Sequence, residues 1–240
     1  MQPGPRREIP LIHLLPNAMT LGAICAGVSA IRMAYSGDFE RSVALLILAA
    51  LLDGLDGRIA RILKSESLMG AELDSLADVV NFGVAPAVVL YFWAMDGDQT
   101  LGWIAALVYV VCCTLRLARF NVGAKEGTLD KRFFTGVPAP AGAMLALAPL
   151  FLAQALPQVI IHPTPVAIWI AVVGGLMISR LPTLSLKLRV PARHARSLLL
   201  VVAGGAAALA AYPWAALLGA DVLYLLSIPF ASYARRRIGH

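Results

Sequence analysis

The chain has 240 residues, 59% of them hydrophobic and 14% charged, with a mean hydropathy of +0.77. Soluble domains carry about 25% charged residues, so a water-exposed globule is excluded as the form of most of this chain. The net charge of +6 raises nucleic acid as a partner, but the placement of the basic residues argues for membrane orientation and anionic lipid headgroups, and against nucleic acid.

Residues 1–16 form a basic, Pro-rich segment, either interfacial or an unstructured leader, with Arg6 and Arg7 before a short apolar run. They show no secretory cleavage pattern, so the first apolar block is expected to be a retained span. Pro16 and Asn17 open it. Apolar blocks at 18–35, 42–62, 74–95, 101–120, 138–156, 164–180, 197–212 and 214–234 approach the roughly 20 residues that cross a bilayer as helix. The expected fold is an all-α polytopic membrane protein with about eight transmembrane helices. With the N-terminus inside, every Lys and Arg except Arg32 and Arg41 falls on the cytoplasmic side. Asp38, Glu40, Asp96 and Asp98 occupy the opposite loops, as the positive-inside bias predicts. Residues 1–16 are a leader segment, 17–182 a core, 183–196 a basic loop, and 197–240 two further spans with a basic tail.

The spans differ in character. The second ends with Asp53, Asp56, Gly57 and Ala60 at i, i+3, i+4 and i+7, one face of a helix. The third begins with Asp74 and Asp78 one turn apart. A short connection makes these helices antiparallel neighbours, so the four carboxylates are expected to converge at the cytoplasmic end. At that depth they need cations, and hard oxygen ligands in this number suit two divalent ions, Mg²⁺ or Mn²⁺, with Ca²⁺ as a non-productive occupant. Gly57 and Gly70 leave room for a ligand to approach the backbone, and Arg58 and Arg61 can meet phosphate oxygens. The pattern points to a diphosphate site and displacement at phosphorus. The plainer alternative is structural pairing, Asp53 with Arg61 or Asp74 with Arg116.

Elsewhere the signals are weaker. Cys25, Cys112 and Cys113 lack metal-ligand spacing and are expected to be small buried apolar residues. His13, His162, His194 and His240 are scattered, which favours surface or interfacial roles. Pro86 is expected to kink the third span. Residues 197–234 have almost no ionisable group and read as packing helices.

Asp53-x-x-Asp56-Gly57-x-x-Ala60-Arg61, followed after eight residues by Gly70-x-x-x-Asp74-x-x-x-Asp78, resembles the signature of the CDP-alcohol phosphotransferases. Segments 82–87, 116–121 and 134–141 and the Pro16-Asn17-x-x-Thr20 run support the likeness, which is nearest to bacterial membrane-integral members that take serine. Gly22 departs from the polar residue of many relatives. The resemblance implies a six-helix catalytic core with a cavity open to the cytoplasm, in a multi-pass homodimer of the cell inner membrane. It implies Asp53, Asp56, Asp74 and Asp78 as ligands of two metals. Asp56, Gly57, Ala60, Arg61 and Gly70 would line the CDP-lipid site, joined by Asn17 and Thr20.

The expected reaction is transfer of a phosphatidyl group from CDP-diacylglycerol to L-serine. Asp78, deepest along its helix, is the candidate general base, with a purely metal-ligating role as the alternative. Arg116 and Arg119 offer bidentate contact to the serine carboxylate, with Asn121 beside them and Asn81 a candidate for the ammonium. The arginines could equally serve lipid phosphate or topology. Two other functions stay open: a sister enzyme using glycerol phosphate, inositol phosphate or choline, and a cation transporter with the aspartates as its path.

Overall fold

A computed structural model describes residues 11–65, 67–95, 99–126, 133–184 and 195–238. Helix is present at all eight predicted places. Four helices, Ile12–Tyr35, Leu68–Ala94, Thr100–Gly123 and Pro213–Phe230, are long and apolar enough to cross a membrane. Ala139–Ala155, Pro163–Ile178 and Leu200–Ala211 are shorter and apolar. Phe39–Ile62 has the length but carries Glu40, Arg41, Asp53, Asp56, Arg58 and Arg61. The chain is an all-α polytopic membrane protein, its two three-residue strands aside. Packing divides it into two units, one ending at Ala85 and the other beginning at Pro86.

In the first unit, a single 3₁₀ turn, Leu11–Leu14, leads into α1, Leu15–Tyr35, with Pro16 in the first turn where its missing N–H costs nothing. Gly37 has φ +79° and turns the chain. Asp38 then caps α2, Phe39–Ile62, by accepting from Arg41 N at 3.0 Å. The tight turn makes α1 and α2 an antiparallel pair. The residues they bury are mostly small, Ala23, Ala26, Ala30 and Ala34 on α1 and Ser42, Val43, Leu46 and Ala49 on α2. In a membrane such residues let backbones approach and gain dispersion contact. Ser42 Oγ fastens the pair by donating to Ala30 O at 2.9 Å.

At its far end α2 closes with Lys64 in the left-handed region (φ 51°). Ser65 N donates to Ala60 O and Lys64 N to Arg61 O, the paired bonds of a Schellman ending. Ser67 caps α3, Leu68–Asp78, accepting from Gly70 N at 3.0 Å. The third helix therefore begins six residues before the predicted 74, because a cap and not hydropathy sets its start.

Pro86 does not act alone on this helix. Val79–Val84 is π-helical, with Ala85 N bonded to Val80 O, before α4 continues as Ala85–Ala94. A proline ring clashes with the carbonyl four residues back, and the wider i→i+5 turn relieves that crowding.

The second unit contains α5, Gln99–Glu126, which runs past the predicted end at 120 and makes Asn121 helical. It packs on α7, Pro163–Ile178, where Gly174 lets the Tyr109 backbone approach: a Cβ there would stand 3.3 Å from Tyr109 Cα. The expected cytoplasmic connections meet in part as a ribbon. Phe133–Thr135 pairs antiparallel with Pro182–Leu184 as β1 and β2, with Phe134 opposite Thr183. Gly136 follows with φ +79°, and its N donates to Leu181 O at 2.8 Å.

Helix α6, Ala139–Ala155, carries Pro149, which cannot donate to Leu145 O. Trp169 Nε1 from α7 donates to that carbonyl at 2.7 Å. Helix α9, Pro213–Ile238, packs on α6, with Trp214 against Phe151, and on α8, Ala195–Ala211. The cysteines form no disulfide; Cys113 is buried, Cys112 half-buried, and Cys25 faces outward, against expectation.

Candidate active site

The acidic signature lies wholly in the first unit, where α1, α2 and α3 pack together. Asp56 is 2% exposed and ties two helices together. Its Oδ2 accepts from Thr20 Oγ1 of α1, and its Oδ1 lies against Gly57 N. Thr20 Oγ1 also stands 3.0 Å from Pro16 O, so the opening turn of α1 is held over the end of α2.

Asp53 sits one turn away. Its carboxyl comes within hydrogen-bonding reach of Asp78, and the charges of Asp74 and Asp56 also act on it. Asp74 in turn feels Asp56. The four predicted acids are thus brought together. Asp53 Oδ1 is buried without a hydrogen-bond partner, a costly state for a carboxylate oxygen unless a ligand completes it. Among the described residues Asp53 and Arg61 form no ion pair, and Arg61 Nε donates instead to Gly57 O at 3.0 Å. Arg41 forms an ion pair with Asp38 at 3.2 Å, remote in sequence from the signature.

Two of these acids, Asp56 and Asp74 but not Asp53 or Asp78, line a cavity of about 480 Å³ together with Pro16, Asn17, Thr20, Gly57, Ala60, Ser65, Ser67, Leu68, Gly70 and Ala71. A Cβ added at Gly57 would meet nothing within 4 Å, so backbone is open to a ligand there. At Gly70 it would stand 3.0 Å from Asn17 Oδ1 and 3.1 Å from Ser67 Oγ, crowding the polar rim. Of the residues expected at a CDP-lipid site, Asn17, Thr20, Asp56, Gly57, Ala60 and Gly70 line this cavity, while Arg61 lies exposed beside it.

Two polar lining residues, Ser65 and Ser67, carry no signature in the sequence. Ser67 forms the helix cap, and Ser65 keeps Oγ buried and unpartnered. The Ser-x-x-Gly spacing signals the cap alone.

Asn81 lies one turn past Asp78 in the π-helical segment, 2% exposed, with neither Oδ1 nor Nδ2 paired. Gly27 makes room for it, since a Cβ there would collide with Asn81 Oδ1. The other expected acceptor residues belong to the second unit. Arg116 is 8% exposed, its guanidinium 5.6 Å above the Phe120 ring. Arg119 donates to Ile178 O at 2.9 Å and Ser179 O at 3.3 Å, satisfying carbonyls at the end of α7. Asn121 is half-buried on α5.

The donor chemistry fits divalent cations: four hard carboxylates, one with an orphaned oxygen, and, among the described residues, no ammonium or guanidinium paired with Asp53 or Asp56. Among the described residues no three acidic, His or Cys side chains form a ready-made ligand set, so the carboxylates act on one another without closing on a common point.

Residues 13–177 match the family profile described as CDP-alcohol phosphatidyltransferase, and 197–229 match CDP-alcohol phosphatidyltransferase 2. The chain is 43% identical over 240 residues to the CDP-diacylglycerol–serine O-phosphatidyltransferase of Mycobacterium leprae, spanning 98% of this chain and 79% of that one. Identity is 41% over 242 residues to the protein of the same name from Mycobacterium tuberculosis, spanning 98% and 83%. It is 40% over 136 residues to that of Helicobacter pylori, spanning 57% and 56%. Members of the family generally use divalent metal ions. By profile and by near full-length identity, this chain belongs to the CDP-alcohol phosphatidyltransferase family.

Proposed function

We infer that this chain is an enzyme of phospholipid biosynthesis, transferring the phosphatidyl group of CDP-diacylglycerol to the hydroxyl of L-serine to give phosphatidylserine and CMP. The observation that carries this reading is the cavity beside the mutually acting aspartates, joined to near full-length identity with serine-using relatives.

In this reading Asp53, Asp56, Asp74 and Asp78 would hold two divalent cations, Mg²⁺ or Mn²⁺, which would offset the negative charge developing on the phosphoryl oxygens. Asn17, Thr20, Gly57, Ala60, Arg61 and Gly70 seat the cytidine diphosphate portion, and the acyl chains stay in the bilayer. The serine hydroxyl oxygen attacks the phosphorus that bears diacylglycerol. A bond from serine oxygen to phosphorus forms, the bond to the bridging oxygen of CMP breaks, and CMP leaves with that electron pair. Asp78 takes the hydroxyl proton.

Asn81, with donor and acceptor both unspent, is suited to orient the serine. Arg116 and Arg119 are assigned to its carboxylate with Asn121 beside them, although Arg119 already spends two N–H groups on α7. The protein is assigned to the cell inner membrane as a homodimer, with the site facing the cytoplasm where the basic residues gather.

The test is an acceptor panel on purified protein with CDP-diacylglycerol and Mg²⁺ or Mn²⁺, following CMP release and lipid product. Release that requires serine supports the reading. Release with glycerol phosphate, inositol phosphate or choline transfers it to a sister reaction, and no release with any acceptor leaves cation transport.

A further inference from the structure

A second cavity, of about 440 Å³, lies within the second unit between α6, α7 and α9. Its walls are apolar, with Leu152, Ile161, Val166, Trp169 and Leu218 among them. One acid stands in this lining. Asp221 of α9 is 4% exposed, and its Oδ2 is buried without a hydrogen-bond partner. An ionisable side chain within an apolar helix is expensive and marks a functional site by default. Nothing in the phosphatidyl transfer uses it. Every residue of the catalytic signature lies before Ala85, whereas every residue lining this cavity lies after Pro86.

We propose that this cavity is a binding site for an ammonium-bearing membrane amphiphile, its nitrogen held by Asp221 and its hydrocarbon laid against the apolar wall. Three observations fix that chemistry. The cavity volume falls within the roughly 300–1,000 Å³ typical of ligand pockets. A buried acid with an open oxygen selects a donor, and a cation above a neutral one. The surrounding wall offers hydrocarbon and one imidazole, His162, so a strongly hydrated ion without a chain gains little there. A carboxylate or phosphate ligand would meet repulsion from Asp221.

The site also accounts for a bond in its walls. Pro149 removes an N–H from the lining of α6, and Trp169 covers the carbonyl so released at 2.7 Å. That carbonyl is thereby kept from competing for the ligand, and Asp221 is the acid of the lining.

Dodecylamine is the probe, measured on the full chain in lipid nanodiscs with its partition into protein-free discs subtracted; dodecanol serves as the uncharged match. The expected result is saturable binding of the amine at least tenfold tighter than of the alcohol, and loss of that preference in Asp221→Asn. Ala148→Phe fills the cavity with the acid intact and is expected to abolish binding of both probes. Both variants are expected to keep wild-type turnover of CDP-diacylglycerol. Equal affinity for amine and alcohol, or an amine preference that survives Asp221→Asn in folded protein, overturns the proposal. If Asp221→Asn does not fold, undiminished amine binding by Ala148→Phe overturns it.

Discussion

Before Ala85, Ser42 Oγ on Ala30 O aside, buried polar side chains meet other side chains or none: Thr20 reaches Asp56, Asp53 reaches Asp78, and Asn81 meets no partner at all. After Pro86, Asp221 aside, comparable groups meet backbone. Trp169 covers Leu145 O, Arg119 covers Ile178 O and Ser179 O, and Ser179 Oγ donates to Leu176 O at 2.7 Å. A bond from side chain to carbonyl completes a group that helix geometry leaves open, and the account closes locally. Carboxylates turned toward carboxylates do not close. They raise the energy of the folded chain until something cationic arrives. The contrast separates polar groups that hold the fold from polar groups held ready for a ligand.

The largest expected effect tests the second kind. Asp53→Asn retains shape but removes a charge from the cluster and should lower turnover by about 10²-fold or more, the scale seen when a group stabilising transition-state charge is lost. Because the repulsion falls as well, the variant should unfold at a temperature equal to or above wild type in metal-free buffer. Turnover near wild type, or a clear loss of thermal stability, would place Asp53 among the structural groups instead.

Much of that cluster was legible in sequence, and the reason is local. Asp53, Asp56, Gly57 and Ala60 fall on one face through the helical period, and Asp74 and Asp78 through the same period. A short connection is enough to bring the two faces together. Hydropathy also located eight helices. It misplaced the start of α3, because Leu68–Leu73 includes Gly70 and Glu72 and reads as loop until Ser67 is recognised as a cap. The pairing of Phe134 with Thr183, and of Trp169 with Leu145, joins residues distant in sequence whose types carry no mutual signal. Asp221 was passed over for a similar cause: a single acid has no period, and its burial becomes visible only when α9 packs against α6.

The next effect belongs to the first kind of group. Gly136 holds φ +79°, and a Cβ there would collide with Met177 O and stand 2.8 Å from Ser179 O. Both neighbours are backbone, so neither can swing aside. Gly136→Ala should cost about 3 kcal/mol, combining left-handed strain with displacement of the end of α7. Thermal unfolding in detergent measures it, and an unchanged midpoint would mean that the turn beside β1 is not fixed as described.

A smaller loss is expected from Trp169→Phe. The ring volume is largely kept, but Leu145 O loses the indole N–H that replaces the one Pro149 lacks. An unsatisfied buried carbonyl costs about 1–3 kcal/mol, and in hydrocarbon there is no water to relieve it. The midpoint of unfolding should fall accordingly, while the Michaelis constants for serine and CDP-diacylglycerol stay near wild type, because no residue of the catalytic cavity touches this bond. Combining the substitution with Pro149→Ala supplies the missing N–H from within α6. If the indole acts only through that carbonyl, the second change should recover most of the first, and the pair should couple by about 1–2 kcal/mol in a double-mutant cycle. Simple additivity would mean that Trp169 stabilises α6 through its packing alone, and the contrast between locally closed and ligand-seeking polar groups would lose its clearest case in the second unit.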